Sequence, residues 1–389
     1  MKKSIQTGNR GKVPMGWIAW ALRRLLLVVV LVSAAAAIRV RTRDMPRFRA
    51  DPAAGPRGVF HIHSDASHDG RVTYDELVAA GRQLGVAFLV FTEHNRRPDR
   101  LQPETGPVIV SGTELSTASG HLIQLGLDSV PNKAMRDSTG LTDFLHEQGA
   151  LAIASHPESP GRAWAGSDAG LDGFEIASSS ADLRFRIRDG YHHIAGPLAA
   201  YPVHRELALA QLYRRDEAAL RRWDARTDPE VIGACGTDTH GWIEPRLQYR
   251  TWQVVLDPLP ASDRLTPDQI VGRLSEGRFF CIASLLDGGT PRFRFTAEGP
   301  NRTFYPGMEV SPDSAATLEI VAPVLDGTAT EIVLLRDGSP VARAAAPTLT
   351  YDALEPGTYR VEIVARLPRL LWGHFEAPIL YSNRIRVQP

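Results

Sequence analysis

Cysteine is almost absent: Cys235 and Cys281 are the only two in 389 residues. That is too few for a disulfide framework or a thiolate zinc site, so any metal chemistry must use histidine, carboxylate and water. Both lie in apolar stretches and are expected as buried reduced thiols, with pairing after export as the alternative. Lysine is confined to Lys2, Lys3, Lys12 and Lys133, a skew toward arginine that reads first as codon composition. Net charge is also missing, 44 basic residues balancing 44 acidic ones, so no global field draws in nucleic acid. There is no internal repeat and no low-complexity tract. The 43% hydrophobic and 23% charged fractions exclude disorder and leave ample material for packed cores.

A long apolar run is lacking too. The longest, Leu25–Ala37, is broken only by Ser33 and is shorter than the ~20 residues of a spanning helix. It follows a basic leader (Lys2, Lys3, Arg10, Lys12, Arg23, Arg24) and ends in small residues, the pattern of an export signal. Trp17–Leu22 leaves open its retention as a membrane anchor. Residues 1–43 are therefore expected to be an export signal or anchor, with membrane contact through that segment and a periplasmic or other extracytoplasmic location. Residues 44–57, rich in proline, arginine and alanine, read as a linker.

What is present begins at Gly58. Apolar runs Val59–His63, Val86–Phe91, Val108–Val110, Leu151–Ala154, Gly173–Ile176 and Val231–Ala234 alternate with helical patterns. One helix opens on a Thr73-x-x-Glu76 capping box and stops at Gly85; another covers Thr142–Gln148. Such alternation predicts an α/β domain with a mostly parallel sheet, open or closed into a barrel, over 58–288. Residues 181–226 interrupt it with a polar helical insertion. From 289 to 389 short strand-like runs with an Asp337-Gly338 turn predict a small β-sandwich.

Histidines and carboxylates fall at the ends of these runs. In His61-Ile62-His63 alternation along a strand would put both imidazoles on one side, about 6.6 Å apart along the chain, so that they could share one metal. Asp238-Thr239-His240 repeats the pattern. His94, Glu114 and His156 each lie just past the carboxyl end of a strand, where parallel barrels gather their active sites. Packing alone gives no reason to collect such groups, which are costly to bury unless a cation compensates them.

These motifs, with Ser67-His68-Asp69-Gly70, Thr92-Glu93-His94-Asn95, Gly112-Thr113-Glu114, His121-Leu122, Ser155-His156-Pro157 and Gly236-Thr237-Asp238, resemble in order those of the PHP (polymerase and histidinol phosphatase) metallohydrolases. Ser-His-Asp-Gly and the β-rich tail look most like the exported, carbaryl-hydrolase-like branch. The resemblance implies a distorted (β/α)7 TIM-like barrel and two or three divalent ions, with Zn, Mn and Fe not separated. It implies His61, His63, Glu114 and Asp238 around one ion, Glu114, His121 and His156 around a second, and Asp69, His94 and His240 around a third. His68 is the alternative to Asp69. Glu93 stands where the family usually has aspartate and is not implied as a ligand.

The expected activity is hydrolysis, most readily of a phosphoester, by a metal-bridging hydroxide with no protein residue assigned as catalyst. A carbamate, amide or ester hydrolase and a non-catalytic metal-binding module are the alternatives. The substrate is expected to be a small anion, not nucleic acid. Nine arginines in 181–226 could fork it, Arg184, Arg186 and Arg188 first because they lie nearest the Glu175 strand end. Glu175 itself is a second candidate for substrate contact, or for orienting a ligand.

Overall fold

Thr73 accepts from the Glu76 amide, Glu76 returns a carboxylate to Thr73, and Gly85 closes the helix Tyr74–Leu84 in the left-handed region, φ 63°. This local capping starts the first strand–helix unit of the computed structural model. The model describes residues 15–97, 102–228, 230–257, 265–286, 288–311, 313–314, 317–352 and 354–389, with backbone alone for 15–19 and 21. Lys2, Lys3, Arg10 and Lys12 of the basic leader, and the side chain of Trp17, lie outside what is described.

The central sheet runs from Ile232–Gly236 through Gly173–Ser178, Leu151–Ala154, Gly120–Leu125, Val108–Thr117 and Phe88–His94 to Arg57–Ile62. Its pairings are parallel except around Gly120–Leu125, an antiparallel strand that the sequence pattern does not announce. Past the last strand of this row, the His63 amide donates to the Thr239 carbonyl at 2.9 Å and the Thr237 amide to Phe60 at 3.0 Å. Those bonds bring the row's two outer strands together, and with them the His61 and Asp238 segments. Helix Leu141–Glu147 and the glycine stop at Gly149, φ 72°, follow the sequence pattern closely.

The C-terminal strands divide between the central sheet and a sheet of their own. Phe279–Ile282 pairs with Gln253–Leu256 on one side and with His374–Ser382 on the other, so the central sheet continues past residue 289 into an antiparallel region. A separate four-stranded sheet lies beside it. Asp337 and Gly338, φ 49° and 75°, make the expected hairpin turn. Residues 44–57 are likewise not a free linker. Met45 and Phe48 are buried, and Arg47–Phe48 pairs with Leu325–Asp326, because two apolar side chains in a Pro/Arg-rich stretch suffice to dock it.

Among the described residues no helix is long and apolar enough to cross a membrane. In the helix Met15–Arg41, Leu22, Leu25 to Val32 and Ile38 are exposed. Arg39 and Arg43 tie its end to the body by donating to the carbonyls of Leu371 and Gly373, each at 2.6 Å.

The insertion is helical, as Ser179–Asp189, His192–Ala200, Arg205–Ala210 and Glu217–Asp224. Its arginines mostly anchor it. Arg215 forks Glu362 at 2.7 and 2.8 Å, and Arg222 reaches Asp168 at 2.7 Å and Glu158 at 3.1 Å. From the other side, buried Arg360 forks Asp224 at 2.7 and 2.8 Å. Arg384 donates to the carbonyls of Trp223, Arg226, Asp228 and Val231, at and just beyond the end of the helix Glu217–Asp224.

Cys235 and Cys281 are joined in a buried disulfide with Cα atoms 5.8 Å apart, which corrects the expectation of free thiols. The fold brings two strands that do not pair with each other, 46 residues apart in sequence, within reach, a proximity that neither local stretch encodes. Unreduced, denatured protein should show no alkylatable thiol. Replacing both cysteines by serine should cost about 2–4 kcal/mol of stability in denaturant titration. Two free thiols in protein purified without reductant would refute the pairing.

Candidate metal centre

The first ligand pair is built by a bulge rather than by plain alternation. Between Val59 and Ile62 the pairing with Phe88–His94 slips by one residue, and His61 takes φ 66°. This turns its ring so that His61 Nε2 and His63 Nε2 are 3.0 Å apart. Glu114 Oε2 lies 3.4 and 3.2 Å from those two nitrogens, and Asp238 Oδ1 3.5 Å from each. The four side chains are fully buried and offer atoms all within 4.8 Å of one another, a set that could hold a cation.

Glu114 divides its oxygens. Oε2 faces His61, His63 and, at 3.2 Å, His94 Nδ1. Oε1 faces His121 Nδ1 at 3.0 Å and His156 Nε2 at 3.2 Å, and accepts from Ser155 Oγ at 2.7 Å. On the open side, Asp69 Oδ2 lies 3.4 Å from His94 Nε2 and 3.3 Å from His240 Nε2. His68 points into solvent, so Asp69 is the one of the adjacent pair that joins the cluster. All nine ligand-type residues singled out from the sequence thus converge. The compact triads are His94–Glu114–His121 and His63–His94–His240, so His94 stands between the two groupings that the resemblance keeps apart.

Supports lie behind the ligands. Glu175 Oε1 pairs with His61 Nδ1 at 3.0 Å and Oε2 accepts the His156 amide at 2.7 Å, so this buried carboxylate ties the His61 ring to the His156 backbone. Gly236 permits that approach, since a Cβ there would lie 1.7 Å from Glu175 Oε1. Glu93 and Ser67 are the residues that sequence reasoning passed over. Buried Glu93 accepts from Ser64 Oγ at 2.5 Å and Ser67 Oγ at 2.6 Å, and Ser67 Oγ lies 3.3 Å from His63 Nδ1. Both stand inside the quoted motifs, next to His94 and His68, and adjacency was the only signal for them.

Of the three arginines nearest Glu175 in sequence, one reaches the cluster. Arg184 donates to Ser159 Oγ at 3.2 Å and Asp238 Oδ2 at 3.4 Å. Arg186, two positions on, faces the opposite side of its helix and donates to the Tyr213 carbonyl; Arg188 is exposed beside Asp189. Helical periodicity overrides nearness in sequence.

Burial works against charge on His61, yet Glu175, Glu114 and Asp238 outweigh it and hold the imidazole well above its usual range. His63, also opposed by burial, is raised to about 9 by Asp238 and Glu114. Burial would lift Glu114 and Asp238, but the histidines hold both well below the carboxylate range. His94, by burial and then by the charge of His63, falls to about 3. Even so, His94 Nδ1 and Nε2, His156 Nδ1 and Nε2, Glu114 Oε2, Asp238 Oδ1 and His240 Nε2 are buried without a hydrogen-bond partner.

No family model matches the chain. An uncharacterized protein of Methanocaldococcus jannaschii is 31% identical over 135 residues, which cover 30% of this chain and 78% of that protein. The chain belongs to the same family as that protein. A solved two-domain protein of Bacteroides vulgatus, containing a predicted PHP-like metal-dependent phosphoesterase, aligns over 87% of this chain and 99% of its own length. The TM-score is 0.41 and the identity 13%, a likeness too distant to carry chemistry, which rests on the side chains themselves.

A raised folded-state value sets the sign of the pH dependence. Without metal, the stabilisation from protonated His63 is complete below pH 6.5 and is lost as pH rises through about 9. A metal ligand must be the neutral imidazole, so uptake below pH 9 should release protons and affinity should climb with pH. Melting of chelated protein across that range, and calorimetry in buffers of different ionisation heat, measure the two effects. Metal uptake at neutral pH with no proton release would remove His61 and His63 as ligands.

Proposed function

We propose that the protein is a PHP-type metal-dependent hydrolase with its strands in a (β/α)7 arrangement, most readily a phosphoesterase. The observation that carries this is the set of partnerless buried nitrogens and oxygens converging around Glu114, in which each carboxylate oxygen and one nitrogen of each neutral imidazole offer a lone pair that a cation would satisfy. His61, His63, Glu114 and Asp238 would hold one divalent ion; Glu114, His121 and His156 a second; Asp69, His94 and His240 a third. The donor set of imidazole and carboxylate suits Zn, Mn or Fe. Bound there, such ions supply Lewis acidity and activate water. Arg184 at the rim would take an anionic oxygen of a small substrate, while Glu175 and the Glu93–Ser67 pair hold His61 and His63 in place.

A second reading is hydrolysis of an uncharged carbamate or ester at the same centre. Two observations favour it: a single insertion arginine reaches the cluster, and the cavity beside it is walled by leucine and isoleucine. Purified protein should carry metal, and His63→Ala or Asp238→Ala should each lose about one ion per chain and reduce turnover to background. A panel of phosphoesters, aryl carbamates and esters separates the two readings. Unchanged metal content in both variants would overturn the ligand assignment, and full metal with no turnover of any substrate would favour a binding module.

The reading includes a location outside the cytoplasm, with the N-terminal helix as signal or anchor and nucleic acid not a substrate. The exposed apolar stretch Leu25 to Val32 and the Cys235–Cys281 disulfide support it. A reporter enzyme active only after export should be active when fused behind residue 50. Activity confined to a cytoplasmic reporter would refute export.

A further inference from the structure

A cavity of about 280 Å³ opens against Asp69, Asp238 and His240 and runs beneath the helical insertion. At its metal end Arg184 donates to Asp238 Oδ2 at 3.4 Å. The lining also includes Arg162 and an apolar set, Leu183, Leu209, Leu212, Ile243 and Trp242. Trp242 is mostly exposed, and the Arg71 guanidinium stacks 3.1 Å from its ring centroid.

On this wall the hydroxyls of Ser179, Tyr213 and Thr251 are already engaged. Ser179 donates to the Thr237 carbonyl at 2.9 Å and lies 2.7 Å from Thr251 Oγ1, while Tyr213 donates to the Thr251 carbonyl at 2.6 Å. A polyhydroxylated body such as a sugar would therefore lose its water partners there and gain few in return. Gln248 Oε1, buried without a partner, offers one acceptor close to the metal end. Asp182, the acidic lining residue outside the cluster, is buried, and burial pushes its carboxyl well above the usual range against the charges of Arg214 and Arg186.

We infer that the substrate is an ester of an apolar alcohol, an aryl or branched alkyl one, whose hydrocarbon body fills the leucine-lined cavity while its ester head meets the metal centre at Arg184. This rests on the metal-hydrolase reading but holds for either bond, because the cavity selects the leaving group and the metal end selects the head. Cleavage would add water across the ester, freeing the acid and the apolar alcohol with no further co-reactant.

The test uses the full metal-loaded chain. Phenylphosphonate should bind about 10–100-fold more tightly than methylphosphonate in calorimetry, the gain expected for burying one ring. In Leu183→Gln and, separately, Leu212→Ala, each checked for folding by circular dichroism, the phenyl-to-methyl ratio should fall toward one. Equal affinities in the parent protein would overturn the inference, as would a ratio that neither variant lowers. If neither phosphonate binds, the phosphoester reading fails, and the same ratio is read from KM for phenyl against methyl N-methylcarbamate. A phenyl preference there keeps the inference, and equal KM values or no turnover of either carbamate overturn it.

Discussion

Glu114 is a buried carboxylate that meets six other polar side chains, and it can sit at the centre of the molecule only because they surround it. An isolated charge at that depth would be neutralised or expelled. Here the charge is shared out: one oxygen faces His61, His63 and His94, and the other faces His121, His156 and Ser155. The imidazoles of His61 and His63, held more basic than usual by the surrounding carboxylates, compensate it in part, and a divalent ion would do so with more charge in less space. The strand ends are arranged to make that exchange available.

Backbone strain marks the same places. Among the described residues other than glycine, left-handed φ values occur at His61, Asn95, His156 and Asp238 around the centre, and at Asp337 in a hairpin turn. Each such residue costs on the order of 1–3 kcal/mol and persists only where its surroundings over-determine it. Glu175 supplies part of that constraint by gripping the His61 ring and the His156 amide together. The glycine at 236, a position that looks like an ordinary strand terminus, exists to let that carboxylate through.

The helical insertion shows how charge can mislead. Its arginines look like a substrate-binding array, but they spend their donors on Glu362, Asp168, Glu158 and backbone carbonyls, and Arg360 and Arg384 answer from the C-terminal strands. The insertion, the central sheet and the C-terminal region are thereby locked to one another, and the face left toward the metal centre is largely aliphatic. A side chain's role as anchor or as ligand depends on which way its helix is rolled, and a run of like charges does not reveal that.

Much of the centre was legible without coordinates. Strand-end histidines and carboxylates announce themselves because a parallel sheet delivers its carboxyl ends to one face, so seven of the nine ligand-type residues, the Thr73–Glu76 cap and the Asp337–Gly338 turn follow from local pattern, while Asp69 and His121 came from the family resemblance. What local pattern could not supply was everything set by partners distant in sequence. The antiparallel strand Gly120–Leu125, the continuation of the sheet through Phe279–Ile282, the Cys235–Cys281 bond and the supports Glu93 and Glu175 belong to this second class. So does the choice of Arg184 over Arg186 and Arg188. Residue type and spacing determine which chemistry is available, since donor atoms and their periodicity are written in the chain. Only tertiary packing decides which groups meet, because burial, bulges and helix rotation act at distances that no short stretch of sequence spans.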